Sequence, residues 1–232
     1  MEGLTVSRTK LNDRTLPGYT RSEEIFNMVS HIVGGGFGVI VLVLCAGFAI
    51  ARHNWAGLIG GVFYGLMMIF LYTMSSLYHG LTARRAKLVM QVLDHCTIYA
   101  LILGTYAPIL LTGLRARRPA LTLIMTLILL AGTAVGVTFT AIDFKRYKLL
   151  AYGGYFVVGW SAIFLLRPMT EIFGWSFFAW LVAGGAVYTL GMIFYAAGRK
   201  KRWYHSVFHL FILAGSVLQF VAVFRGCILT VY

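Results

Sequence analysis

IVGGGFGVIVLVLCAGFAI, residues 32–50, decides the class of fold. The run carries no charged side chain and no histidine, and it is about as long as the ~20 helical residues needed to cross a bilayer. Every backbone N–H and C=O inside lipid must be satisfied within the structure, which leaves helices or closed barrels. Barrel strands alternate apolar with polar residues, and this run does not, so it reads as a helix.

Six further apolar runs of similar length follow, giving spans near 27–50, 55–79, 89–112, 119–141, 148–166, 174–196 and 205–229. The fifth is the shortest and ends at Arg167-Pro168. The loops are short, so neighbouring helices should run antiparallel in one bundle. The sequence therefore predicts an all-α membrane protein, with residues 1–24 as a polar N-terminal segment and 25–232 as a seven-helix transmembrane domain. Residues 1–24 lack the form of a cleavable leader and are expected to stay attached. Thr20-x-x-Glu23 has capping-box spacing and predicts a short interfacial helix before the first span. Gly57, Gly61 and Gly65, and again Gly132 and Gly136, recur every fourth residue, which lets helix backbones approach closely. Pro108 should kink the third span.

Composition agrees. Charged residues are 12% of the chain, against about 25% for a soluble domain, and the mean hydropathy is +0.81. The net charge of +13 does not mark a nucleic-acid partner, because the cations lie in short tracts between apolar runs and no nucleic-acid motif accompanies them. They fit loops that face anionic lipid head groups. With the N-terminus inside, the cytoplasmic segments hold 14 Lys and Arg and the outer loops 5, with Arg225 at the outer end of the last span. The positive-inside rule then predicts a cytoplasmic N-terminus and an external C-terminus. Arg115, Arg117 and Arg118 are the dissenting outer cluster. The three cysteines, Cys45, Cys96 and Cys227, sit in different spans without metal-ligand spacing.

Ionisable residues inside a bilayer are costly and mark function by default. On this topology His79 ends the second span, Asp94 lies a turn inside the third, and His205 starts the seventh. His209 is one helical turn further in, on the same face as His205. Ser75 shares a face with His79. Three histidines and a carboxylate thus reach one layer. Neutral imidazoles suit zinc, and three protein ligands plus water describe a catalytic zinc site. Ser206 stands where His-Glu-x-x-His needs its Glu, so the pattern is not that of a zincin. Any base must come from another helix, and Asp94 is the candidate. His95 is rotated about 100° from Asp94 and should point elsewhere. His31, near the inner end of the first span, reads as interfacial, with a place beside the metal ligands as the alternative, and His53 reads as a solvated loop residue.

At these residues the chain resembles the hemolysin III branch of the progestin and adipoQ receptor family. The likeness runs through Glu23-Glu24-Ile25-Phe26-Asn27 with His31, Ser75-Ser76-Leu77-Tyr78-His79, Asp94-His95-Cys96-Thr97-Ile98-Tyr99, Gly104-Thr105-Tyr106-Ala107-Pro108, Gly191-Met192-Ile193-Phe194-Tyr195 and His205-Ser206-Val207-Phe208-His209. The resemblance implies a zinc ion on His79, His205 and His209 near the cytoplasmic side, with Asp94 and Ser75 beside it. Adiponectin receptors and the alkaline ceramidases, which are lipid amidases, are the wider relatives. The chain lacks the long cytoplasmic N-terminal region of the animal receptors.

The expected function is a zinc-dependent hydrolase of a lipid amide or ester, with Asp94 and Ser75 in the chemistry and a fatty acyl chain in the bundle. The same histidines would equally serve a non-enzymatic, receptor-like regulator of membrane lipid composition and fluidity. A pore-forming hemolysin fits less well, because the spans lack a polar stripe. The expected location is a multi-pass membrane protein, in the plasma (inner) membrane if the source is bacterial. The oligomeric state is open.

Overall fold

The first helix begins at the capping box. Thr20 accepts from the Glu23 backbone N–H through its side chain, and the Glu23 carboxylate accepts from the Thr20 N–H at 2.8 Å. In this computed structural model, which describes residues 9–144, 146–198 and 201–232, that box heads the first span itself. Among the described residues no separate interfacial helix precedes it, only a 3-10 turn at Leu11–Asp13. The reason is an unbroken stripe: Asn27, Ser30, His31, Gly34, Gly38, Val41 and Cys45 are buried at helical spacing along one face. Four of the counted cations, Arg8, Lys145, Arg199 and Lys200, lie outside the described residues.

Among the described residues, seven helices are long and apolar enough to cross a membrane: α1 Arg21–Ala51, α2 Trp55–Gly80, α3 Arg84–Arg117, α4 Pro119–Asp143, α5 Lys148–Phe173, α6 Trp175–Gly198 and α7 Tyr204–Ile228. No strand occurs among the described residues. The chain is thus an all-helical, multi-pass membrane protein. α3 is the central helix. Its apolar window is 67% buried, against 22% for α4 and α6, and it packs on α2, α4, α5 and α7.

Two helices are irregular. In α3, Pro108 withholds an N–H from the ladder, and the break falls just beyond it, at a π-turn over Leu110–Leu114 in which Thr112 leaves helical geometry. The Thr112 hydroxyl donates to the Pro108 carbonyl at 2.6 Å. In α5, the expected stop at Arg167-Pro168 is corrected. The helix tightens to 3-10 over Ser161–Leu165 and resumes over Leu166–Phe173. Pro168 is tolerated there because it falls in the first turn after the irregularity, where N–H groups have no helical acceptor. Gly174, at φ +86°, then reverses the chain into α6.

The small-residue repeats pack helices within the chain. A Cβ on Gly61 would sit 2.7 Å from the Cys45 Cβ, and one on Gly65 2.8 Å from the Leu42 Cα, both across the α1–α2 contact. A Cβ on Gly132 would meet Val158 at 2.8 Å, and one on Gly136 would overlap the Tyr99 ring. Tyr99 is fully buried and donates to the Ala151 carbonyl at 3.0 Å, joining α3 to α5. Cys45 and Cys227 are buried and all three cysteines are free.

Candidate metal centre

The starts of α1 and α7 are locked together by one carboxylate. Glu23, besides capping α1, accepts from the Trp203 backbone N–H at 2.6 Å. Trp203 has φ +67°, a conformation rare outside glycine that persists only where neighbours hold it. This anchor begins α7 at Tyr204 and sets His205 and His209 opposite the end of α2.

There His79, His205 and His209 converge. All three are buried, and one ligand nitrogen from each lies within 4.8 Å of the others. The His205 Nε2 is 3.4 Å from that of His79 and 3.1 Å from that of His209. Tautomers follow from the outer nitrogens. His79 Nδ1 lies 2.6 Å from the Glu24 carboxylate, which only accepts, so this nitrogen carries a hydrogen. The Ser30 hydroxyl donates to the Asn27 carbonyl and offers a lone pair to His209 Nδ1 at 3.4 Å. Both assignments leave bare Nε2 lone pairs facing His205, whose Nε2 can donate to only one of them. A buried surplus of lone pairs at one point suits a cation, and three imidazoles suit zinc. The residues present therefore fit a metal ion.

Glu24 is the partner that sequence reasoning missed. Its second oxygen pairs with Lys87 at 2.8 Å, so a Lys–Glu–His chain orients His79. The signal was present: Glu24, Asn27 and His31 recur at helical spacing on an apolar helix. His31 is a correction. It is buried, not interfacial, and its ring stacks on His209 at 3.7 Å between centroids. Its position on the inner face of α1, one turn beyond Asn27, places it there. Tyr19 stacks on His205 from the other side at 4.7 Å.

Asp94 does not pair with Lys87, which is engaged by Glu24, and its carboxylate lies 3.7 Å from His95 Nδ1. The expectation that His95 points elsewhere fails: it lines the same cavity as Asp94. It is held there because its Nδ1 donates to the Gln91 carbonyl at 2.6 Å and its Nε2 meets the Tyr195 hydroxyl at 3.0 Å. His53 is exposed in the α1–α2 loop, as expected.

The cavity measures about 180 Å³. His205, His209, Ser75 and Asp94 line one end. Leu101, Ile102, Ile109, Phe178, Leu181 and Ile212 line its length. α5 and α6 form its outer wall. They pack most closely past Leu166, and Trp160 Nε1 donates to the Thr189 hydroxyl at 3.1 Å between them.

Fold and site together define a seven-helix membrane protein with a three-histidine centre at one end of an apolar internal cavity. The family model described as Haemolysin-III related matches residues 19–220, and the chain belongs to that family. It is 32% identical over 210 residues to the Hemolysin-3 homolog of Bacillus subtilis (strain 168), covering 90% of this chain and 97% of that protein. It is 31% identical over 201 residues to Hemolysin-3 of Bacillus cereus, covering 87% and 90%. The human Monocyte to macrophage differentiation factor is 24% identical over 169 residues, covering 70% and 68%.

Proposed function

We propose that the chain is a zinc-dependent membrane hydrolase acting on a lipid amide or ester. One observation carries this reading: a single apolar cavity has two of the three converging histidines, a carboxylate and a serine at one end. His79, His205 and His209 would hold the ion. Zinc in such a site supplies Lewis acidity toward a carbonyl and brings the pKa of water toward about 7. Asp94 takes the proton from the attacking water and returns it to the leaving group. Ser75, buried beside His79, donates a hydrogen bond to the substrate carbonyl oxygen. The apolar length of the cavity takes the acyl chain and keeps bulk water from it. On the positive-inside rule this end faces the cytoplasm, beside cations that favour anionic lipid.

The test has two parts. Elemental mass spectrometry on purified protein should find about one zinc per chain (one three-histidine site), lost in a His205→Ala/His209→Ala variant. A panel of N-acyl and O-acyl lipids should then release fatty acid, with Asp94→Asn abolishing release while zinc is retained. Zinc present without release from any lipid would sink the hydrolase.

A second reading is supported by the Glu24–His79 pair. It ties α1 to a centre that already joins α2 and α7. An ion there would staple three helices, as a non-enzymatic regulator of membrane lipid composition and fluidity requires. That reading expects altered acyl composition in cells lacking the protein and no release in vitro. The Bacillus relatives are called hemolysins, but the cavity's apolar length does not favour a water-filled pore.

A further inference from the structure

Deep in the cavity, far from the histidines, α3 and α7 present a polar pair. The Thr105 hydroxyl lies 3.3 Å from Gln219 Oε1 and also 3.1 Å from the Leu101 carbonyl. Both side chains line the cavity. Two other polar residues at this depth are already committed: Tyr188 bonds Ser216 at 2.8 Å, and Thr189 accepts from Trp160. Gln219 differs. One end of its amide meets Thr105, and its Nε2 makes no hydrogen bond to any of the described residues. A glutamine amide offers two donors and two acceptor sites. Gly184 fixes its aim, since a Cβ there would sit 2.5 Å from the Gln219 Cγ. The glutamine stem passes where α6 has no side chain.

Two helices give the depth independently. Gln219 is ten residues beyond His209 and Thr105 eleven beyond Asp94, so at ~1.5 Å per residue both lie about 15–17 Å from the chemistry. The lining between, with Leu71, Ile98, Leu101 and Ile212, is apolar. An extended chain gains roughly 1.2 Å per bond, which brings Gln219 level with about the thirteenth to fifteenth carbon of an acyl chain anchored at the histidines.

We infer that Gln219 and Thr105 form a subsite for a hydroxyl carried well along the chain by the acyl ligand. A hydroxyl accepts from the free end of the amide and donates to the Thr105 oxygen, so both partners are satisfied in a place water would otherwise have to fill. A plain methylene chain leaves the amide end unpaired against hydrocarbon, which is the costly arrangement. The subsite therefore sorts acyl chains by hydroxyl position. This rests on the acyl-cavity reading above but does not need turnover.

The experiment is direct binding to the purified, zinc-loaded protein in lipid nanodiscs. The probes are stearate, 13-hydroxystearate, 15-hydroxystearate and 2-hydroxystearate. Wild type should bind a 13- or 15-hydroxy acid roughly three- to tenfold more tightly than stearate, as one net hydrogen bond provides. Gln219→Met, near in volume and unbranched, should remove that preference and keep the stearate affinity, which also reports that the variant is folded. Thr105→Val should weaken the same preference. The 2-hydroxy acid, with its hydroxyl at the histidine end, should respond to neither change. Equal binding of stearate and both of these hydroxy acids in wild type would overturn the subsite and leave the acyl cavity standing. So would a preference that survives Gln219→Met. No binding of any of the four acids would overturn the acyl cavity and the subsite together.

Discussion

Glu24 shows how much one side chain adds to the three histidines. Its carboxylate holds His79 Nδ1 at 2.6 Å and is itself held by Lys87 at 2.8 Å. A carboxylate behind a ligating imidazole fixes the tautomer and raises ligand basicity, and removing such a partner costs about 10–100-fold in metal affinity. Glu24→Gln should therefore weaken zinc binding by about that factor, read by competition with a chromophoric chelator. The metal-free protein should melt as wild type does. An unchanged zinc affinity would show that His79 needs no orienting. At Gly136 the effect is steric. A Cβ would overlap the Tyr99 ring, so Gly136→Ala should cost about 1–3 kcal/mol by overpacking, seen as a lower melting temperature with zinc content unchanged. The histidines were legible in the sequence because ionisable groups stand out in apolar runs. Glu24 was passed over despite its helical spacing with Asn27 and His31, because it sits near the head of its helix, where a carboxylate is ordinary.

Helices carry their own lesson in α5 and in the strap before α1. The seven spans were readable from apolar length and from the cations between them. The end of α5 was not, because Pro168 looks like a terminator until the 3-10 turn at Ser161–Leu165 restarts the helix beneath it. The strap at residues 9–20 was also hidden, since nothing in a polar segment says where it docks. It runs across the histidine end: Thr9 N–H donates to Asp143 at 3.2 Å, Arg84 donates to the Asn12 and Arg14 carbonyls at 3.2 Å, and Tyr19 stacks on His205. Arg14 adds a bond to the Ile142 carbonyl. The strap thus covers the water-facing side of the centre. Tyr19→Ala and Arg14→Ala should speed zinc exchange with an added chelator while leaving its equilibrium affinity nearly unchanged, because neither residue is a ligand. Stopped-flow chelation separates the two quantities. A loss of affinity without faster exchange would make the strap part of the binding site.

At the scale of the whole molecule the centre sits where the bundle's two halves meet. α1, α2 and α3 pack on one another in sequence, α6 packs mainly on α7, and α7 reaches the first group through α1, α2 and α3. An ion on His79 of α2 and on His205 and His209 of α7 would bridge those halves at the end where Glu23 already ties α1 to Trp203. Such an ion binds the folded bundle and not separated helices, so it stabilises by RT ln(1 + [Zn]/Kd). At free zinc near one hundred times Kd this is about 2.7 kcal/mol, which for a chain of this size corresponds to a rise of roughly 5–10 °C in melting temperature. Stripping zinc with a chelator should therefore lower the melting temperature of wild type by that amount, and restoring zinc should recover it. The His205→Ala/His209→Ala variant should melt near stripped wild type and ignore both treatments. Because α7 begins at an anchor independent of the metal, the variant should still fold, so the comparison is between two folded bundles. If stripping removes the zinc and the melting temperature does not move, the centre does not staple the helices. The regulator reading would then lose its structural basis, while a catalytic ion, which need stabilise only the reaction, would remain consistent with the same histidines.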